Sequence, residues 1–156
     1  MSETPAPAPL RHALEIGKLA YDLLARHGLH DWSFAFNRRK TSVGMCYFHR
    51  KAIELSIYFV RRNGPDLILD TLLHEIAHAL VGPGHGHDAV WKRMCLQVGA
   101  KPERLCHEAE MPTGRWQARC GGCGTTHHKH RRPKRMQGWF CRQCGPDKGQ
   151  LAWESC

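Results

Sequence analysis

The chain has 156 residues, 42% of them hydrophobic and 24% charged, with a formal net charge of +9, a size that suits one small domain or one domain with an appended module. The apolar fraction excludes wholesale disorder, and no run approaches the ~20 apolar residues of a membrane span. The opening Met1–Pro9 carries Glu3 and three prolines where an export signal needs base and an apolar run, which predicts an intracellular protein of cytoplasm and nucleoid, or of the nucleus in a eukaryote.

Residues 1–9 read as a disordered Pro/Ala tail. From Leu10 the apolar positions Leu10, Leu14, Ile16, Leu19, Ala20, Leu23 and Leu24 recur near a 3.6-residue period and predict an amphipathic helix ending by Gly28. Three strand-like segments follow, Trp32–Asn37, Val43–Phe48 and Ile53–Phe59, and an antiparallel meander is their economical connection. Asn63-Gly64-Pro65-Asp66 then starts a helix running to about Val81, with proline at its first position and a carboxylate at the positive end of its dipole. Gly82-Pro83-Gly84 stops it, and His87–Val98 reads as a further helix closed by Gly99. No internal repeat or coiled-coil heptad is visible.

The helix Leu67–Val81 carries His74-Glu75-Ile76-Ala77-His78 at its centre. Two histidines four apart project from one helical face and can share one zinc ion, with the intervening glutamate able to reach a water on that metal. Such a zinc brings its water to a pKa of about 7, and Glu75 then serves as the general base. Three protein ligands with one open position are the usual catalytic arrangement. His87 is the preferred third ligand because it opens the next helix with Trp91 one turn on; His85 is a loop histidine near the cleft, a possible oxyanion donor or an exposed bystander. Glu103, Glu108 and Glu110 are alternative third ligands. Asp70 and Asp88 read as solvated or capping carboxylates rather than orienting partners.

Beyond Pro112 the chain is poor in aliphatic residues and rich in Gly and Cys, so it needs a metal staple in place of a core. Cys120-Gly-Gly-Cys123 and Cys141-Arg-Gln-Cys144, separated by seventeen residues, have the spacing of a four-cysteine structural zinc site. A glycine follows each pair, at Gly124 and Gly145, permitting a tight turn whose backbone N–H groups point at the thiolates. Residues 115–156 hold nine basic side chains against Asp147 and Glu154, seven of the nine net positive charges. Lys129, Arg131, Arg132, Lys134 and Arg135 form the densest run, and nucleic acid is the expected partner. Trp139 and Phe140 could stack on an unpaired base but are read chiefly as ribbon core. Cys46, Cys95, Cys106 and Cys156 are assigned as buried or incidental thiols, and Met45, Met94, Trp32 and Phe34 as core.

The segments Leu72-Leu73-His74-Glu75-Ile76-Ala77-His78-Ala79-Leu80 and Gly84-His85-Gly86-His87-Asp88-Ala89-Val90-Trp91 resemble the SprT-like (Spartan) family of zinc metalloproteases. The family's third histidine is followed four residues later by an aromatic, as His87 is by Trp91. The glycine-containing strand Val43–Tyr47 ahead of Ile53-Glu54-Leu55-Ser56 is similar as well. The resemblance implies a protease acting on proteins bound or crosslinked to DNA, with DNA contributing to targeting and activation, and hence a role in repair. The combined expectation is α+β: a zincin-like domain over residues 10–112 (helix, three-stranded antiparallel sheet, HExxH helix, further helix), then a basic zinc ribbon over 113–156. One catalytic zinc would sit on His74, His78 and His87 and one structural zinc on the four cysteines, in a monomer with no membrane partner. Two other readings fit the same residues: a peptidase that cleaves one specific partner such as a repressor, and a non-catalytic nucleic-acid-binding zinc protein.

Overall fold

The periodic leucines form helix α1 (Ala8–Arg26) in a computed structural model that describes residues 8–104 and 108–156. Residues 1–7 of the expected tail lie outside the described residues, whereas Ala8 and Pro9 already belong to the helix, because a proline in the first turn forfeits only an N–H that would have no helical partner. Ile16, Ala20, Leu23 and Leu24 face the core, and Leu14 points to solvent.

The strands are β1 (Ser33–Asn37), β2 (Gly44–Tyr47) and β3 (Ala52–Ser56). Their spatial order is β1-β3-β2, with β1 parallel to β3 and β2 antiparallel to it. This corrects the expected antiparallel meander: the sheet is mixed. The physical reason lies in β3, where Ala52, Ile53, Leu55 and Ser56 are all buried; a strand covered on both faces takes the central place. Strand β2 is half-buried along its whole length and takes an edge.

The third apolar run also ends sooner than its composition suggests. Ile57, Tyr58 and Phe59 leave the sheet for a short helix, α2 (Ile57–Arg62), which buries Phe59 and Val60. Tertiary packing overrides the β preference of that run once β1 has no further residue to pair, since its last partnership is Asn37 with Ser56.

Helix α3 (Pro65–Val81) has Gly64 as N-cap, Pro65 at the first position and Asp66 in the first turn. It buries Ile68, Leu72, Leu73, Ile76 and Ala77 against the sheet and against α4 (Ala89–Val98). Each leucine or isoleucine among them is worth about 1.5–3 kcal/mol of transfer free energy. Asp88 caps α4 through one carboxylate oxygen, which accepts from the N–H groups of Val90 and Trp91 at 3.0 Å each. His87 therefore precedes the helix rather than opening it.

The chain divides into two compact units at Met111–Pro112. The second contains β4 (Trp116–Arg119), β5 (Thr126–Lys129), β6 (Trp139–Phe140), a one-turn α5 (Gly145–Lys148), β7 (Gln150–Leu151) and β8 (Glu154–Ser155). Strand β4 lies between β5 and β8, and β6 pairs with β7. The class is thus mixed α+β with small sheets and a four-cysteine cluster near the C-terminus. No helix among the described residues is long and apolar enough to cross a membrane.

Candidate functional site

Helix α3 presents His74 and His78 on one face, as their four-residue spacing requires, and the turn before α4 brings His87 to the same point. His87 Nε2 lies 3.2 Å from His78 Nε2 and 3.3 Å from His74 Nε2. Trp91, fully buried, forms the floor: its indole stacks on His78 with ring centroids 5.0 Å apart, and it meets His74 and His87 edge-on at 4.6 and 4.5 Å. The Asp88 cap that starts α4 thus sets both Trp91 and, by adjacency, His87.

Burial, reinforced by the neighbouring rings, holds His74 down at about 3 and His78 at about 4; burial and then the Arg104 charge lower His87. All three are neutral at pH 7, with lone pairs to offer. A tetrahedral zinc with Zn–N bonds of about 2.0–2.1 Å separates its nitrogens by about 3.3–3.4 Å, which the observed spacing matches. Three neutral imidazole nitrogens converging at this spacing form a donor set that fits a zinc ion.

The remaining candidates lie elsewhere. His85 Nδ1 pairs with the second oxygen of Asp88 at 2.7 Å, and His85 borders the cleft without joining the three-imidazole cluster. Glu103 and Glu108 also border the cleft but stand apart from the cluster, and Glu110 is engaged through its backbone.

Glu75 is 6% exposed, and burial pushes its carboxyl up to about 8 in the metal-free protein. It borders a cleft of about 810 Å³ together with all three histidines, the β2 segment and residues of the stretch that follows α4. That stretch is held at two places: Asp70 of α3 accepts from Lys101 N at 2.8 Å, and Asn63, between α2 and α3, exchanges a reciprocal pair of 2.8 Å hydrogen bonds with the backbone of Glu110. From the sequence Asn63 reads only as part of a helix start and Asp70 as solvated or capping, because such long-range partners carry no local signal. Met45, expected in the core, and Cys46, expected as a buried or incidental thiol, both line the cleft half-buried. Burial and then the Glu75 charge raise the Cys46 thiol to about 12, so it stays protonated. Cys95 is buried and Cys156 exposed; Cys106 lies outside the described residues.

In the second unit the four sulfurs of Cys120, Cys123, Cys141 and Cys144 lie within 4.8 Å of one another. Cys123 and Cys141 are 3.8 Å apart, the separation that tetrahedral Zn–S bonds of about 2.3 Å impose. The sulfurs do not ionise independently: Thr125 holds Cys123 down to about 6, and the adjacent Cys123 sulfur pushes Cys144 up to about 12. Full ionisation of the four therefore calls for a cation among them. Gly124 and Gly145 take φ values of +73° and +71°, and their N–H groups donate to the carbonyls of Cys120 and Cys141 at 2.9 Å. They close each turn through the backbone, where the sequence predicts an N–H aimed at sulfur.

Of the basic run, Arg131, Arg132, Lys134 and Arg135 are exposed, while Lys129 is half-buried with its ammonium 3.1 Å from the Trp139 ring centroid. Trp139 and Phe140 are 40% and 50% exposed, which corrects their assignment to the ribbon core. That core is Ala118, Cys120, Cys141, Leu151 and Trp153; two cysteines and one tryptophan fill it and leave β6 at the surface.

The SprT-like family profile matches residues 18–111. Protein SprT of Klebsiella pneumoniae is 28% identical over 123 residues, covering 72% of this chain and 74% of that protein. Protein SprT of Yersinia enterocolitica is 26% identical over 133 residues (78% and 77%), and protein SprT of Pseudomonas putida 24% over 122 residues (70% and 74%). No solved structure is significantly similar. With more than half of its length inside the family profile, and that stretch holding the three converging histidines and Glu75, the chain belongs to the SprT-like family.

Proposed function

We propose that this protein is a zinc-dependent endopeptidase whose first unit is zincin-like, and that it acts on proteins bound or crosslinked to DNA while its basic ribbon engages nucleic acid. The observation that carries the catalytic part is the 3.2–3.3 Å convergence of His74, His78 and His87 Nε2 beside the buried Glu75, all opening on one cleft. His74, His78 and His87 would hold a catalytic zinc, and Cys120, Cys123, Cys141 and Cys144 a structural one. Zinc on the imidazoles supplies a Lewis acid that polarises a peptide carbonyl and acidifies a water. Glu75 accepts the proton of the attacking water and delivers it to the departing amine nitrogen. Trp91 fixes the imidazole planes and keeps solvent from beneath them. The cleft floor is thereby rigid, and its outer wall rests on Asn63 and Asp70.

The nucleic-acid part rests on charge and exposure. Arg131, Arg132, Lys134 and Arg135 stand free to meet phosphates, and the exposed rings of Trp139 and Phe140 offer a stacking surface beside Lys129. The test is cleavage of a DNA-bound protein with and without DNA, and with and without a chelator. Chelator-sensitive cleavage that DNA stimulates supports the proposal. Cleavage indifferent to DNA favours a dedicated protein partner, and absence of cleavage favours a binding protein.

A further inference from the structure

Strand β2 meets α3 at Gly44, and Glu75 lies in the space that a side chain there would fill. A Cβ built on Gly44 comes 2.7 Å from Glu75 Oε1, 3.0 Å from its Cγ and 3.1 Å from its Cδ. Gly17, Gly64, Gly84 and Gly86 have nothing within 4 Å of the same point. Gly44 is not among the glycines of positive φ, so its backbone is one that any residue adopts and the requirement is for space alone.

Neither backbone can retreat. Strand β2 is held by its ladder to β3, where Gly44 opposes the fully buried Leu55, and by the hydrogen bond from Ser56 N to Val43 O at 2.9 Å. Helix α3 is held by Leu72 and Ile76, both 1% exposed. The movable part is the carboxyl end of Glu75.

We infer that Gly44 is a positioning residue: the absence of a side chain on β2 sets where the Glu75 carboxylate stands relative to the cleft. The inference rests on the reading of Glu75 as general base. A methyl group at residue 44 turns the carboxyl aside while leaving the three imidazoles on their Trp91 floor, and displacement of a reacting group by about 1 Å costs on the order of a hundredfold in rate.

The experiment uses full-length Gly44→Ala protein. The expected result is a kcat lower by about a hundredfold, with KM and zinc content unchanged, and a crystal structure in which Glu75 Oε1 has moved while His74, His78 and His87 have not. A second measurement does not use activity: in metal-free protein Gly44→Ala lowers Tm, and the loss shrinks when Glu75→Ala removes the obstructing carboxyl. If Gly44→Ala alone fails to fold, folding restored by Glu75→Ala supports the inference. An unchanged kcat overturns it, as does an equal loss of Tm or of folding in both backgrounds. If the wild-type protein shows no zinc-dependent cleavage, the reading of Glu75 fails, and the Tm comparison still decides whether Gly44 places its carboxyl.

Discussion

In the first unit the imidazoles are mounted on a core that is complete without them: Leu72, Ile76, Phe59 and Leu55 are 0–1% exposed, and the histidines stand at its edge over Trp91. In the second unit the candidate ligands are themselves the core, because Cys120 and Cys141 are two of the five residues of its buried cluster. The first unit's core is complete without its histidines, whereas the second unit's rests on its four-cysteine cluster. Small domains short of apolar surface commonly depend on metal in this way.

The largest expected effect tests that difference. Replacing Cys120 and Cys141 by serine should unfold residues 112–156 outright, since structural zinc supplies roughly 10–16 kcal/mol of apparent binding free energy. Amide NMR should show the second unit's dispersion collapse while the first unit's resonances hold. A ribbon still folded would break the comparison.

Next in size is Leu72→Ala, 1% exposed in α3, which should cost the first unit about 2–5 kcal/mol. Urea unfolding should register the loss in the first unit's transition alone.

A smaller effect appears in acid. In metal-free protein His74 and His78 stay neutral down to about 3 and about 4, whereas unfolded imidazoles take up protons near 6.5. The stability tied to the neutral pair is present above pH 6.5 and is lost as pH falls through that value toward 4. Glu75, raised from 4.5 to about 8, acts in the opposite sense; its stability is present below 4.5 and is lost as pH rises through 8. Between pH 6.5 and 4.5 two imidazoles outweigh one carboxyl, so the first unit weakens on acidification. Tm measured against pH in chelator should show this, and Glu75→Gln should steepen it.

The smallest effect concerns the ribbon's surface. Neutralising Arg131 or Arg132 should leave folding unchanged and lower the magnitude of the salt dependence of nucleic-acid binding by about one per residue, uniformly across sequences. An unchanged slope would remove these side chains from the interface.

What could be read from the sequence was whatever a fixed local spacing determines. The i to i+4 spacing of His74 and His78 puts both rings on one face whatever surrounds them, and the paired Cys-x-x-Cys segments with their glycines describe a turn complete in itself. The order of the strands was not legible, because it depends on β3 being covered from both sides, a fact about the elements packed around it rather than about residues 52–56. The same holds for Phe59, which a β-rich run places in a strand and packing places in α2. Trp139 and Phe140 were misjudged because the apolar content of a ribbon does not say which aromatic its cysteines leave room for; Trp153 takes that place. Asn63 with Glu110, and Gly44 with Glu75, join segments distant in the chain and become visible only in three dimensions.

The most direct test compares wild-type protein with Glu75→Gln at equal zinc content on a DNA-bound protein substrate. The glutamine keeps the shape of the side chain and removes its capacity to take a proton. Cleavage should fall by about 10²–10⁴-fold with zinc occupancy and nucleic-acid affinity unchanged. Cleavage at the wild-type rate would contradict the assignment of Glu75 as the base, and with it the hydrolytic mechanism.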